Sequence, residues 1–198
     1  MQNRQENQIS GVILAGGRGR RMGDVDKGLQ AFRGCALIEW AIARLKPQVA
    51  EILINANQNQ ERYGVYGYRV ISDLVPDYAG PLAGLHSALN SASHDLVLTV
   101  PCDSPFLPSD LAQRLHAALR SASADVAVAR TGAQPHPVFC LVRRSLLPHL
   151  SDFLQQGGRK IDAWYADLKS VEVAFDDQPE AFSNFNTLAE LNAAEKRS

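Results

Sequence analysis

Short apolar runs alternate along this chain with longer stretches whose apolar positions recur at helical spacing. Ile9 to Leu14 is an apolar run that ends against small residues and glycines, the pattern of a strand buried on both faces of a parallel sheet. ALIEWAIARL, from Ala36 to Leu45, has apolar residues at helical spacing and is followed by Pro47, which predicts a helix and then a break. Glu51 to Ala56 reads as a second strand and Tyr68 to Asp73 as a third. The glycine- and proline-bearing DYAGPLAG then leads into a helix through LHSALNSA. Asp95 to Asp103 is the most apolar strand, followed by the amphipathic PSDLAQRLHAALRSA with Ser109 as a candidate cap, and then by the strand DVAVAR.

After Arg130 the pattern changes. HPVFCLV is a strand, SLLPHLSDFLQ and GRKIDAWYADL are helical, SVEVAF is a strand and TLAELNAAEKR is a closing helix, which together read as a second half over the same sheet. Strands alternating with helices imply crossover units, hence an α/β fold with a mainly parallel sheet and helices on both faces. In such sheets ligands bind beyond the carboxyl ends of the strands, where the loop after Leu14, Asp73 and Asp103 all fall. A chain of 198 residues with 45% hydrophobic content is expected to form one domain, and no internal repeat or low-complexity tract interrupts it.

Charge adds a local feature to a neutral background. A formal net charge of -1 gives no global attraction to nucleic acid or to an anionic membrane, so an anion site has to come from a cluster. Cys35, Cys102 and Cys140 are odd in number and far apart, which suits reduced thiols in a cytosol better than a disulfide framework or a zinc site. The polar MQNRQENQIS lacks the apolar core of a secretory signal, and no apolar run approaches the ~20 residues needed to span a bilayer. A cytoplasmic protein is expected.

The cluster itself is GVILAGGRGRRMGDVDK, Gly11 to Lys27. Counting from Gly17 through Gly19, the third glycine of a dinucleotide fingerprint would fall at Met22, and Lys27 lacks the preceding glycine and following hydroxyl of a Walker A loop. Both familiar phosphate cradles are therefore excluded. Ala15, Gly16 and Gly17 still allow the backbone close to a ligand, while Arg18, Arg20, Arg21 and Lys27 gather cations that repel one another unless an anion joins them. Arg18 and Arg20 suit solvent as well as they suit a phosphate.

LAGG, RRMG and DKGL in this order resemble the signature loop of nucleotidyltransferases that activate small molecules with a nucleoside triphosphate. The similarity is closest to the molybdenum cofactor guanylyltransferases, the MobA family, and it continues through NAN at Asn55 to Asn57, ISD ending in Asp73, GPLAG at Gly80 to Gly84, PCDSPFLP at Pro101 to Pro108 and NFNT at Asn184 to Thr187. Cytidylyl-transferring relatives usually carry LAAG, so Gly16 before Gly17, together with PCD, favours guanine. Asp24 and Lys160 depart from the family's usual glycine and arginine, and Lys does not reproduce a bidentate Arg contact.

The resemblance implies a three-layer α/β/α Rossmann-like nucleotidyltransferase fold, with residues 9–130 as the nucleotide-binding half and 131–198 as the acceptor side of a single domain. It implies transfer of GMP from GTP to the terminal phosphate of molybdenum-molybdopterin, releasing pyrophosphate, with a molybdopterin cytidylyltransferase or a sugar-phosphate nucleotidyltransferase as the alternative. In this reading Asp103 holds Mg²⁺ at a strand end, and Arg21 and Lys27 hold the β- and γ-phosphates. Leu14, Ala15, Gly16 and Gly17 present backbone groups to the nucleotide, with Asn55, Asp73 and Gly84 in its pocket; Asn55 and Asp73 could instead be polar strand ends, and Gly80 and Gly84 a purely structural turn. Arg159, Lys160, Asn184 and Asn186 fall to the acceptor side, and the resemblance leaves room for transient contacts with cofactor-biosynthesis proteins and molybdoenzyme chaperones. His136 is expected to be structural, since a phosphate monoester nucleophile is already ionised near neutral pH. His86, His94, His116 and His149 lack metal-ligand spacing, while Trp40 and Trp164 are expected to pack and Cys102 to fill space.

Overall fold

The computed structural model describes residues 8–15, 26–75 and 80–183. Its first strand, β1 (Ile9–Leu14), is continuous and buried, as its apolar run demands. A small hairpin of β2 (Ala31–Phe32) and β3 (Cys35–Ala36) follows, and then α1 (Leu37–Leu45), whose start is fixed by Glu39 accepting a hydrogen bond from the Ala36 amide at 2.9 Å. β4 (Glu51–Asn55), α2 (Gln60–Gly64), β5 (Arg69–Ile71), α3 (Pro81–Ser91) and β6 (Leu96–Pro101) continue the alternation. The remainder is α4 (Leu111–Ser121), β7 (Val126–Thr131), β8 (Gln134–Arg143), α5 (Leu147–Gln155), α6 (Ile161–Tyr165) and β9 (Ser170–Ala174).

Seven strands form one sheet in the order β5-β4-β1-β6-β8-β7-β9. β1 pairs in parallel with both β4 and β6, and β4 with β5. β8 is antiparallel to β6 and β7, while β7 and β9 are parallel, so the sheet is mostly parallel with one reversed strand. The reversal follows from connection length: Gly132 and Ala133 join β7 to β8, and only a hairpin can turn in so few residues.

Alternation along each strand divides the core between two faces. Ile9, Ile13, Ile52, Ile54, Leu98 and Val100 pack with Ile38, Ala41 and Leu45 of α1 and Leu111, Leu115 and Leu119 of α4. Val12, Leu53, Val97, Val128, Cys140 and Val142 face the other way, onto Leu82, Leu85 and Leu89 of α3, Leu150 and Leu154 of α5, and Trp164 and Tyr165 of α6. This is the expected three-layer arrangement.

Two boundaries differ from the sequence reading. α3 begins at Pro81 with Gly80 as its cap, so GPLAG lies in the helix's first turns and not in a turn before it. Pro at the first helical position lacks only an N–H that would have no intrahelical partner, which explains why the motif continues into helix. α4 begins at Leu111 with Asp110 and not Ser109 at its cap, and no side-chain cap hydrogen bond is formed there. The closing helix expected from TLAELNAAEKR lies outside the described residues.

Candidate active site

Strand order reverses at β1. The chain runs outward from β1 to β4 and β5, then returns through α3 to place β6 on the other side of β1, which creates a switch point at their carboxyl ends. Leu14 is paired there with Asn55 on one side and Pro101 on the other. The Ala15 amide donates to Asn55 O at 2.8 Å and the Cys102 amide to Leu14 O at 3.1 Å, locking the three strand ends together. The next residue is Asp103, whose Oδ2 accepts a hydrogen bond from Lys27 Nζ at 3.2 Å. Asp103 is only 7% exposed while the Lys27 side chain is 27% exposed, so a sheltered acid is met by a lysine that still reaches solvent.

Asn55 is 2% exposed and donates from Nδ2 to Asp73 Oδ1 at 2.9 Å. Asn57 Nδ2 donates to Asp73 Oδ2 at 2.7 Å, and its Oδ1 accepts from the Asp73 amide at 2.8 Å. Asp73 therefore serves as the fixed centre of an amide cage at the ends of β4 and β5. The cage leaves Asn55 Oδ1 turned toward α3, where a Cβ added to Gly84 would lie 2.6 Å from Asn55 Oδ1 and 2.8 Å from Leu14 Cδ2. Gly84 thus admits the ends of β1 and β4 against the helix, a packing role where the motif suggested a turn.

Leu14, Ala15, Asn55, Asp73 and Gly84 are joined by direct contacts, and the Lys27–Asp103 pair stands next to them through Cys102, whose amide bonds Leu14 O. Gly16, Gly17, Arg21, Asn184 and Asn186, with Arg18 and Arg20, lie outside the described residues. Arg159 and Lys160 stand in the loop between α5 and α6, where Arg159 Nη1 donates to the carbonyls of Leu154 at 2.8 Å and Gly158 at 2.7 Å. α5 runs against α3: Arg144 just before it donates to Leu89 O, and Ser151 meets His86 one helical stretch further on. The two Arg159 hydrogen bonds stay within the end of α5 and its loop, and neither joins that loop to Lys27, Asn55 or Asp103.

His136 and the tryptophans behave as packing residues. His136 bonds Thr131 Oγ1 at 2.8 Å and stacks on Phe182 at 4.6 Å between centroids, and burial holds its pKa below the ordinary histidine value. Trp164 is fully buried and donates to His149 Nδ1 at 2.9 Å, while Trp40 donates to Phe32 O at 2.9 Å. Cys102 is buried, and burial first, then the charge of Asp103, raises its thiol pKa well above the usual value, so it stays a neutral filler. Asn57 was visible only as part of NAN. Tyr63, fully buried and bonded through its hydroxyl to Asp26, carried no sequence signal because the stretch from Gln58 to Gly67 has no clear period.

The sheet has helices on both faces and polar groups at its switch point, and its likeness to solved structures gives the class, the nucleotidyltransferase fold. Among solved structures it is similar to molybdopterin-guanine dinucleotide biosynthesis protein A from Archaeoglobus fulgidus, with TM-score 0.76, 25% identity, and 95% of this chain and 97% of that chain covered. It shares its fold with 4-diphosphocytidyl-2C-methyl-D-erythritol synthase from Anaerococcus prevotii at TM-score 0.75 and 14% identity, with 97% of this chain and 96% of that chain covered. Residues 11–171 match the model of the MobA-like NTP transferase domain, and the chain belongs to that family of nucleotidyltransferase enzymes. A molybdenum cofactor guanylyltransferase of Ralstonia nicotianae is 52% identical over 96% of this chain and 98% of its own length. Another, from a Shewanella species, is 51% identical over 91% of each. Among the described residues no helix is long and apolar enough to cross a membrane.

Proposed function

We propose that this protein transfers GMP from GTP to the terminal phosphate of molybdenum-molybdopterin, releasing pyrophosphate and forming the guanine dinucleotide form of the cofactor. The observation that carries the chemistry is the meeting of Lys27 Nζ and Asp103 Oδ2 at 3.2 Å beside the switch point. The guanine and pterin specificity is supported by relatives at about 50% identity whose names state that activity. It is supported as well by the Archaeoglobus neighbour, which has the same fold.

The reaction brings a phosphate nucleophile against the α-phosphorus of a triphosphate, so it depends on neutralising charge and aligning the groups. Lys27 would hold the β- and γ-phosphates and stabilise the departing pyrophosphate, with Arg21 as its partner from the signature loop. Leu14, Ala15, Gly16 and Gly17 would frame the base with backbone groups. Asn55, held by Asp73, would stand in the nucleotide pocket beside the guanine edge. Arg159, Lys160, Asn184 and Asn186 would receive the acceptor.

Asp103 suits a hard divalent cation because Mg²⁺ is commonly bound by one or two carboxylates with phosphates and waters completing its shell. Among the described residues no group of three or more His, Cys, Asp or Glu side chains could hold a metal ion. When bound, Mg²⁺ would neutralise phosphate charge. Lys27, paired with Asp103 at 3.2 Å, would meet the β- and γ-phosphates from that position. Cytoplasmic work, with reduced thiols, is part of the same proposal.

The test supplies GTP, Mg²⁺ and molybdenum-molybdopterin and looks for the guanine dinucleotide with one pyrophosphate per product. The expected outcome is turnover with GTP and little with CTP. No product from GTP with an acceptor shown to be active would overturn the proposal.

A further inference from the structure

Both neighbours of Lys27 meet Tyr63, a residue of α2 between β4 and β5. The first, Asp26, is held at both oxygens: the Tyr63 hydroxyl donates to Oδ1, and Asn59 Nδ2 donates to Oδ2 at 3.0 Å. The other, Gly28, is buried so tightly that an added Cβ would lie 2.5 Å from the Tyr63 hydroxyl oxygen and 3.3 Å from both Cβ and Sγ of Cys102. Cys102 directly precedes Asp103. The lysine that reaches Asp103 is therefore gripped on both sides, by Tyr63 through Asp26 and by Tyr63 and Cys102 through Gly28.

Tyr63 is suited to this work. It lies in α2, between β4 and β5, and its side chain is fully buried among the residues of the face that carries α1 and α4. Burial, with the neighbouring Asp26 carboxylate, raises its pKa far above the ordinary tyrosine value, so the hydroxyl remains a donor across all working pH. Asn59 begins α2 in the left-handed region at φ 51°, where Asn is among the few residues that sit with little cost, and this brings its amide onto Asp26.

We infer that Tyr63, with Asn59 in support, is a positioning residue for transfer: through Asp26 and Gly28 it fixes Lys27 opposite Asp103. The inference rests on the proposed phosphate role of Lys27. It links β4, which also bears Asn55, to the end of the signature loop, so that the base pocket and the phosphate cation are set by one structural unit.

The experiment is a double-mutant cycle in the full-length protein, using Tyr63→Phe, Lys27→Ala and the pair, with kcat/KM for GTP from pyrophosphate release and folding checked by thermal unfolding. Tyr63→Phe alone is expected to lower kcat/KM by about 10- to 100-fold, the scale of an ångström-level misplacement, mainly in kcat. In the Lys27→Ala background the same change should alter the residual rate less than about twofold, because there is no lysine left to misplace. A general loss of stability would reduce both backgrounds alike, and that result overturns the inference, as does a wild-type rate for Tyr63→Phe. A wild-type rate for Lys27→Ala itself would instead refute the phosphate role on which the inference rests. Should Tyr63→Phe fail to fold, Asn59→Gly removes the second tether while keeping the left-handed backbone, and is expected to act in the same direction under the same criterion.

Discussion

A methyl group on Gly84 would sit 2.6 Å from Asn55 Oδ1 and 2.8 Å from Leu14 Cδ2, both on rigid strand ends. Gly84→Ala is therefore expected to displace the Asn55 amide, raising KM for GTP more than it lowers kcat, and to cost about 1–3 kcal/mol of stability through overpacking. Steady-state kinetics and thermal unfolding measure the two effects separately. At Asp103 the expectation is the reverse: Asp103→Asn keeps the shape and loses the charge, so kcat should fall by about 10²–10³ with the folded state intact, as when one electrostatic stabiliser is removed from a site. Single residues were legible in the sequence where a motif surrounded them, as with Lys27 in DKGL and Asp103 in PCD. What the sequence could not show was contact, so the cage of Asn55, Asn57 and Asp73 and the grip of Tyr63 on Asp26 came only with the folded chain.

The elements were more readable than their ends. Strands buried on both faces announce themselves as apolar runs, as β1, β4, β6 and β7 do, and β8 and the more exposed edge strand β9 also fall within or around the segments expected for them. α2 and the β2-β3 hairpin escaped because each is too short for a period to emerge. α6 is held by packing, not by propensity: it is short, yet Trp164 is wholly buried against the second face and Tyr165 donates to Pro137 O at 2.8 Å. Trp164→Ala should lower stability by about 3–5 kcal/mol, measured by denaturant unfolding. α4 is tied to the exit of β9 by Arg114, which meets Asp177 at 2.9 Å and lies over the Phe175 ring at 3.9 Å. The Arg114 hydrogen bonds hold the Asp177 pKa down to about 2, from an ordinary value of 3.8. A lowered pKa means that the folded state favours the charged carboxylate, so this contribution is present above about pH 4 and disappears as pH falls toward 2. The melting-point difference between the wild type and Asp177→Asn should therefore shrink across that window; a constant difference would show that the pair does not couple to folding.

At the scale of the molecule, the sheet's crossover order brings residues distant in sequence to one edge, with Lys27 and Asp103 separated by 76 positions and meeting at the switch point. Alternating strands and helices predicted that edge, and the signature segments supplied the chemistry proposed for it. The one reversed strand of the seven-stranded sheet was not predicted, although the short link between β7 and β8 requires it. A ligand that binds the folded state at 100 times its Kd adds about 2.7 kcal/mol, a rise in melting point of roughly 5–10 °C for a chain of this size. GTP with Mg²⁺ should produce such a shift and CTP at the same concentration should not. The central claim is that the signature loop and the acid after β6 serve one triphosphate. A crystal structure of the protein with GTP and Mg²⁺ tests it most directly: Lys27 should lie on the β- or γ-phosphate, Asp103 on the ion and Asn55 beside the guanine. A nucleotide bound at another surface, with Lys27 and Asp103 still paired only to each other, would contradict it.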